Sequence, residues 1–302
     1  MFLVNRLDAL VAKQEATAGD IETLIASDGA YNVFNARIVE STSYIARTQQ
    51  GTVNMLAGTP GPRIGTATFR VEIAGSGSTG GVPLWATTFL PACGLLNSAG
   101  TFTRSAVVAS QKTVSIAKWT NGVRQMLVGA MGNVVFNFNA GSLNYADFAF
   151  TGKYYSETDT TQLDPTEPTV AAPTGWATGT YNSIDINGPT MSLDVGAQLA
   201  PIEGKNDPVN SGYIRWSVAN YLAKFNCEPY ATDLATIDFR GDFVARNQRA
   251  LSIIIGSSSN NTVTFAGTNA QVTGGPGFGD RAGLATRQVG CDVNGGFTVA
   301  FS

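Results

Sequence analysis

Apolar residues recur mostly at every second position in this chain. In "ATFRVEI", Ala67, Phe69, Val71 and Ile73 alternate with Thr68, Arg70 and Glu72, which predicts a strand with one buried and one wet face. "NVVFNFNA" sets Val134, Phe136 and Phe138 against Asn133, Asn137 and Asn139. "ADFAFTGKYY" continues after a turn near Gly141 and Ser142, the pattern of an antiparallel meander. "SAVVASQKTVSIAKW", "TMSLDV", "ATIDFRGDFVA", "ALSIIIG", "NTVTFAG" and "GFTVAFS" add further predicted strands. Helical spacing is sparser. Leu3, Leu7, Leu10 and Val11 fit one helical face. So do Val218, Tyr221, Leu222 and Phe225 in "SVANYLAKFN", with Ser217 as a candidate N-cap.

This pattern predicts a mainly β protein, a β-sandwich or barrel with short flanking helices, built as two tandem related domains. Residues 1–59 are mixed, with Gly and Pro at intervals. They read either as an N-terminal arm and extended segment packing on neighbouring subunits, or as an irregular lobe. Residues 60–160 form the first β domain. Three prolines in "SETDTTQLDPTEPTVAAPTGW" break the strand period and place a linker at 161–180, with a second β domain at 181–302. A loose internal parallel joins "DFAFTGKY" to "TIDFRGDF", each read as a strand that ends at Gly and an aromatic.

Composition narrows the chemistry. The chain has 302 residues, 43% hydrophobic but only 14% charged, against roughly a quarter charged in an ordinary globular domain. Its surface is therefore rich in Ser, Thr, Asn and Gly, which suits a subunit largely covered by copies of itself or a neutral secreted β protein. Net charge is −3, so no basic excess is available to grip nucleic-acid phosphates. Histidine is absent, which removes His-based acid–base catalysis, the Ser-His-Asp triad and most zinc sites. Cys93, Cys227 and Cys291 are odd in number and form no C-x-x-C, so buried thiols are expected rather than a disulfide scaffold. Asp8, Lys13 and Glu15 fall too early for the apolar core of a signal peptide, and no apolar run nears membrane-spanning length. Synthesis in the cytoplasm is the expectation.

One motif invites a cofactor. Gly75-Ser76-Gly77-Ser78-Thr79-Gly80 is a formal G-x-G-x-x-G after a predicted strand. A dinucleotide fingerprint also needs a long helix and an acidic residue about 20 positions on. "LWATTFLPACG" permits only a short helix, and no Asp or Glu occurs between Glu72 and Asp147. The glycines read as a flexible loop leaving a strand. "GGPGFGD" at 274–280 lacks the spacing of a calcium loop. No cofactor, metal or turnover is expected.

Several stretches resemble phage major tail tube proteins of the siphophage type. "FRVEIAGSGSTGGVPLWATTFLPACG" is similar to the family's strand, Gly/Pro loop and short helix ending in Ala-Cys-Gly. "RLDALVAKQEATAGD" resembles its opening arm. "NGVRQMLVGAMGNVVFNFNAGSLNYADFAFTGKY" resembles its next block, with Gly129, Gly132, Phe150, Thr151, Gly152 and Tyr154 at the turn and strand end. The resemblance covers roughly the first half and is fainter in "TVTFAGTNAQVTGGPGFGDRAGL". It implies a β-sandwich with a flanking helix, whose long hairpin region joins neighbours into a continuous barrel around a pore. Rings of three chains with pseudo-sixfold symmetry, or of six chains, stack helically, and the arm and loops reach the next ring. It further implies a structural virion protein of the tail, partnered by copies of itself, a tape measure protein and tail-end or neck proteins. Double-stranded DNA passes through without specific binding, and no membrane is involved.

Site candidates follow from that resemblance and from the polar faces. Asn137, Asn139, Asn144 and Asp147 are candidate lumen residues, with Asp238 and Asp242 a second group on the supposed strand face shared with Arg240. The alternative is the solvated side of a sandwich sheet. Leu3, Leu7 and Leu10 are candidate inter-subunit residues. Asp280 and Arg281 form an inter-subunit ion pair or cap a turn. Trp85, Trp119, Trp176 and Trp216 are interface anchors or core. Two other classes stay open: a different structural or carbohydrate-binding β-sandwich of a virion, and a carboxylate enzyme needing two acids across one cleft.

Overall fold

The alternating segments join into one large antiparallel sheet. The structure, a computed structural model, describes residues 8–48, 55–170, 173, 177–204, 212–258 and 260–302. β9 (Val123–Asn139) and β10 (Tyr145–Asp159) form a long central hairpin. Beyond β10 lie β5 (Ile64–Glu72) and the outermost strand β2 (Val33–Glu40). Beyond β9 come β13 (Thr190–Asp194), β16 (Lys224–Cys227), β20 (Leu284–Phe301), β18 (Val263–Val272), β17 (Gln248–Ile255), β11 (Ala177–Tyr181) and β12 (Ile184–Asp185). β8 (Val114–Thr120) joins β1 (Asp8–Gln14) to β9, and β7 (Thr101–Arg104) joins β6 (Leu95–Ser98) to β20. The chain is mainly β, as its periodicity predicts.

Four hairpins close on two-residue turns whose central residues both have positive φ: Ala99-Gly100, Asn121-Gly122, Asn182-Ser183 and Ala282-Gly283. That geometry matches the right-handed twist of the flanking strands. The sheet curls until its apolar sides meet. Phe136 of β9 and Phe265 of β18 come within 4.7 Å between ring centroids. α1 (Leu84–Phe89) seals one end, and Phe89 packs on Phe69, Phe148 and Phe150 at 4.8, 5.2 and 5.8 Å. Aromatic pairs of this kind contribute about 0.5–1.5 kcal/mol beyond area burial. Trp85, Trp119 and Trp216 are buried, so all three are core; Trp176 lies outside the described residues.

The N-terminal segment differs from the expected helix-bearing arm. Residues 8–14 are strand β1, paired along β8 from Asp8↔Thr120 to Gln14↔Val114. Leu10 and Ala12 enter the main core while Val11 enters a second cluster with Trp119, Met126 and Val128. Both faces are covered, so the apolar run does not alternate, and a short run of that kind mimics helical spacing. Leu10 is thus a core residue of its own chain, not an inter-subunit contact. Leu3 and Leu7 lie outside the described residues.

Two further segments exchange their expected types. "SVANYLAKFN" is not a helix: it spans the end of β15 (Tyr213–Tyr221) and the start of β16. Trp216 and Val218 pack on Met131, while Ala223, Phe225 and Cys227 alternate into the core. β15 pairs with β14 (Ala197–Glu203) as a hairpin laid over β9. "TIDFRGDF" is not a strand. It folds as α2 (Phe239–Ala245), with the Asp238 side chain accepting from Gly241 N at 2.8 Å as an N-cap. The internal parallel with "DFAFTGKY" therefore joins a helix to a strand.

Strand pairing does not divide at 161–180. β13 inserts between β9 and β16, β7 pairs with β20, and the main core draws residues from both halves. Leu163 packs on the second cluster, and β11 begins at Ala177. The Gly75–Gly81 loop is tied down, Gly75 N donating to Asn261 Oδ1 at 2.7 Å and Gly77 N to Asn260 O at 3.0 Å. The helix after it, α1, has 6 residues and leads into antiparallel strands. No helix among the described residues is long and apolar enough to cross a membrane.

Candidate functional site

The face of the sheet opposite the core is polar over most of its width. Register places Phe34, Arg70, Asp147, Val135, Asp194, Lys224, Asp292, Gln271 and Gln248 in one cross-strand row, from β2 to β17. A neighbouring row runs through Glu72, Tyr145, Asn137, Ser192, Asn226 and Gly290. From Arg70 to Gln271 in the first row, and along the second, the residues flanking each position on its strand are buried, because side chains alternate between faces. An open groove of about 550 Å³ lies on this face, lined by Asn137, Asn139, Ser192, Asn226 and Glu228 among others. Toward Met131 the face is covered by Trp216 and Val218 of β15.

Arg70, Asp147 and Asp194 on this face are held in place. Arg70 donates to Asp147 through Nε at 2.6 Å and Nη2 at 2.9 Å, and Asn137 Nδ2 reaches the same carboxylate at 2.7 Å. The guanidinium also lies 5.0 Å from the centroid of Tyr145. The bond to Asp147 raises the Arg70 pKa further. Asp194 accepts from Asn133 Nδ2 at 2.7 Å and Gly196 N at 2.8 Å. Lys224 stands directly between Asp194 and Asp292 in register.

The expected lumen residues divide on this face. Asn137, Asn139 and Asp147 share it. Asn144 does not: it is buried at the end of the β9–β10 turn, its Oδ1 accepting from Asn139 N at 3.2 Å. An Asn closing a turn bonds to local backbone instead of following the strand period. Asp238 and Asp242 lie on α2, away from any strand row. Asp238 is the helix cap. Asp242 is buried and accepts from Arg249 Nη2 at 2.8 Å, Asn247 Nδ2 at 2.7 Å and Tyr181 Oη at 3.1 Å. Burial pushes its pKa up, but bonds from Arg249, Asn247 and Tyr181 outweigh that and leave it lowered.

Two apolar surfaces project from opposite ends of the same sheet. The β2–β5 ladder continues past Glu40↔Gly65 into a hairpin of β3 (Tyr44–Arg47) and β4 (Leu56–Pro60). Tyr44, Ile45, Met55 and Leu56 are all exposed there, Tyr44 by 70%. At the other end β20 forms a hairpin with β19 (Gly277–Arg281). Phe278, exposed by 72%, Leu284, and nearby Leu234 and Val244 are uncovered. A groove of about 800 Å³ runs between this hairpin and α2. From the charged row, Ile64 and Lys153 lie toward the first hairpin and Gln288 toward the second, so the register itself sets the two ends apart. At about 3.3 Å per residue along the strands, Pro60 at the start of the first hairpin lies roughly 33 Å from the row and Leu284 at the second tip roughly 26 Å from it, in opposite directions. Asp280 and Arg281 sit at the second tip, where Asp280 Oδ1 accepts from Gly283 N at 3.4 Å and so caps the turn.

One polar cluster is wholly internal. Glu15 is buried and takes four donors: Gly19 N at 2.6 Å and Thr113 Oγ1 at 2.5 Å on Oε2, Gly129 N at 2.6 Å and Ser115 Oγ at 2.9 Å on Oε1. Burial raises its pKa, more than these bonds lower it. The fully buried Lys153 donates to Gly19 O at 2.7 Å. Gly129 has φ +63 and stands at a bulge between β9 and β10 that aims its N–H at the carboxylate.

Neither Glu15 nor Lys153 stands out in the sequence, since their partners come from segments a hundred residues apart. Arg70 and Glu72 are visible as the wet side of "ATFRVEI", but their alignment with Asp194, Lys224 and Asp292 needs register between distant strands. The cysteines are free and buried, as their apolar contexts predict, and burial pushes the Cys291 thiol up to about 12. Among the described residues no group of His, Cys, Asp and Glu is arranged to hold a metal ion. No family model matches the chain, and no curated protein matches it.

Proposed function

We propose that this chain is a structural virion subunit that stacks as rings of three or six copies into a phage tail tube, through which DNA passes. The observation that carries the reading is the pair of unlike apolar surfaces at opposite ends of one sheet. Soluble monomers rarely leave such patches uncovered. Unlike patches satisfy each other only between copies, head to tail, and such a contact propagates as an open stack instead of closing a dimer. The sequence resemblance supports the same assembly. The polar row of amides and neutralised charges suits a wall past which a polyanion slides, with copies paired at sheet edges so that no backbone edge is left open. On this reading the protein is not an enzyme, and its partners are its own copies, a tape measure protein, and proteins at the neck and tail end.

Negative-stain imaging of the purified protein tests this. Wild type is expected to form rings or tubes, and the variant Tyr44→Ser with Met55→Ser to stay folded by circular dichroism but lose stacking. Monodisperse monomers of wild type at high concentration would overturn the reading.

A further inference from the structure

The charged row on the polar face has an order that composition does not demand. Its two cations each stand beside carboxylates: Arg70 is clamped by Asp147, and Lys224 lies between Asp194 and Asp292. Carboxylates outnumber cations in the row, and the neighbouring row through Tyr145, Asn137, Ser192 and Asn226 adds a further carboxylate, Glu72, and no cation. Arg37, on the edge strand opposite Thr68, lies outside the row. Directly opposite cross-strand charges interact, so the clamped Asp147 offsets Arg70, and the carboxylates opposite Lys224 on its two neighbouring strands offset part of its field. Asn137 holds Asp147, and Asn133 with Gly196 N holds Asp194, so two of the three carboxylates cannot swing away.

We propose that Asp147, Asp194 and Asp292 are masking residues: they neutralise Arg70 and Lys224 so that the face does not retain a polyanion, here duplex DNA. This rests on the polar face being the surface DNA passes. The carboxylates act through the cations, not by touching DNA. Uncovering Arg70 and Lys224 then converts an inert face into a binding one.

The test uses the full-length protein in solution with a fluorescent DNA duplex, so it does not require tubes. Wild type is expected to show weak retention. Asp147→Asn, Asp194→Asn and Asp292→Asn together should tighten binding at least about tenfold at low salt. They should steepen the dependence of log K on log salt by about 2 per chain, for two uncovered cations at roughly 0.9 each. Adding Arg70→Gln and Lys224→Gln should abolish the gain. A charge-matched control elsewhere, Asp159→Asn, Asp185→Asn and Glu203→Gln, should gain much less. Equal gain in the control, or none in the triple variant while it remains folded by circular dichroism, would overturn the masking role. The single Asp292→Asn variant, whose carboxylate has no clamp to disrupt, keeps the test valid if the triple variant misfolds; it should gain about threefold, and no gain would count against the proposal. Tube formation by wild type with no gain in the variants would sink masking alone. DNA gain with no tubes would sink the tube reading alone.

Discussion

Replacing Glu15 with Gln should destabilise the fold although the two side chains have the same shape. Each carboxylate oxygen receives one backbone N–H, Gly129 on Oε1 and Gly19 on Oε2. The amide group of Gln must take one of these positions in either flip, so one backbone N–H meets another donor. The hydroxyls of Thr113 and Ser115 can rotate to adapt, but a backbone N–H cannot. An orphaned buried donor costs about 1–3 kcal/mol, and the surviving bonds lose their charge assistance, about 1 kcal/mol each. Relief of the buried charge offsets part of this. Gly19 also ties the site to Lys153, whose ammonium bonds to its carbonyl. A net loss of about 2–3 kcal/mol follows, or roughly 3–5 °C in Tm for a chain of this size. Thermal and urea unfolding of the two proteins at neutral pH measure it. A Glu15→Gln protein within about 0.5 kcal/mol of wild type would refute the claim that both oxygens are committed to fixed donors.

Gly94→Ala should also destabilise, because Gly94 has φ +78 and an added Cβ would lie 1.8 Å from Tyr221 Oη, which donates to Gly94 O; a loss of at least about 1–2 kcal/mol in urea unfolding is expected from the backbone alone. Asp242 is lowered from its ordinary 3.8, so its stabilising effect is complete above 3.8 and is lost as pH falls through the lower folded-state value. Asp242→Asn should therefore flatten the stability profile below pH 3.8, and an unchanged slope there would count against the Arg249 and Tyr181 contacts. Deleting residues 1–30 should prevent native folding, because it removes β1, Glu15 and the buried Leu10, Val11 and Ala12; a native-like circular dichroism melt from that truncation would contradict the placement of β1.

Strands with one wet face were legible in the sequence because period two leaves an unambiguous trace, as in Phe136, Phe138 and their intervening asparagines. β1 was not, because Leu10 and Val11 are buried on opposite sides. α2 was hidden by Ile237 and Phe239, which mimic alternation, although Asp238 three residues before Gly241 is a capping arrangement that could have announced it. β15 and β16 read as one helix in the sequence because the turn at Leu222 and Ala223 carries no Gly or Pro. On the polar face Asn137 and Asn139 follow from alternation in "NVVFNFNA", whereas the Asp194, Lys224 and Asp292 side of the row depends on strands 30 to 68 positions apart being brought side by side. The exposed apolar hairpins were invisible for a different reason: Tyr44, Met55 and Phe278 look like ordinary core residues until burial is known.

The most direct test of the tail tube account is a density map of the assembled protein at side-chain resolution. The account predicts stacked rings around a pore, with Asn137, Asp147, Asp194, Lys224 and Asp292 facing the channel. It also predicts the β3–β4 hairpin of one copy seated against α2 and the β19–β20 hairpin of the next. An assembly with that polar row on its outer surface, or with the two apolar ends left apart, would contradict it.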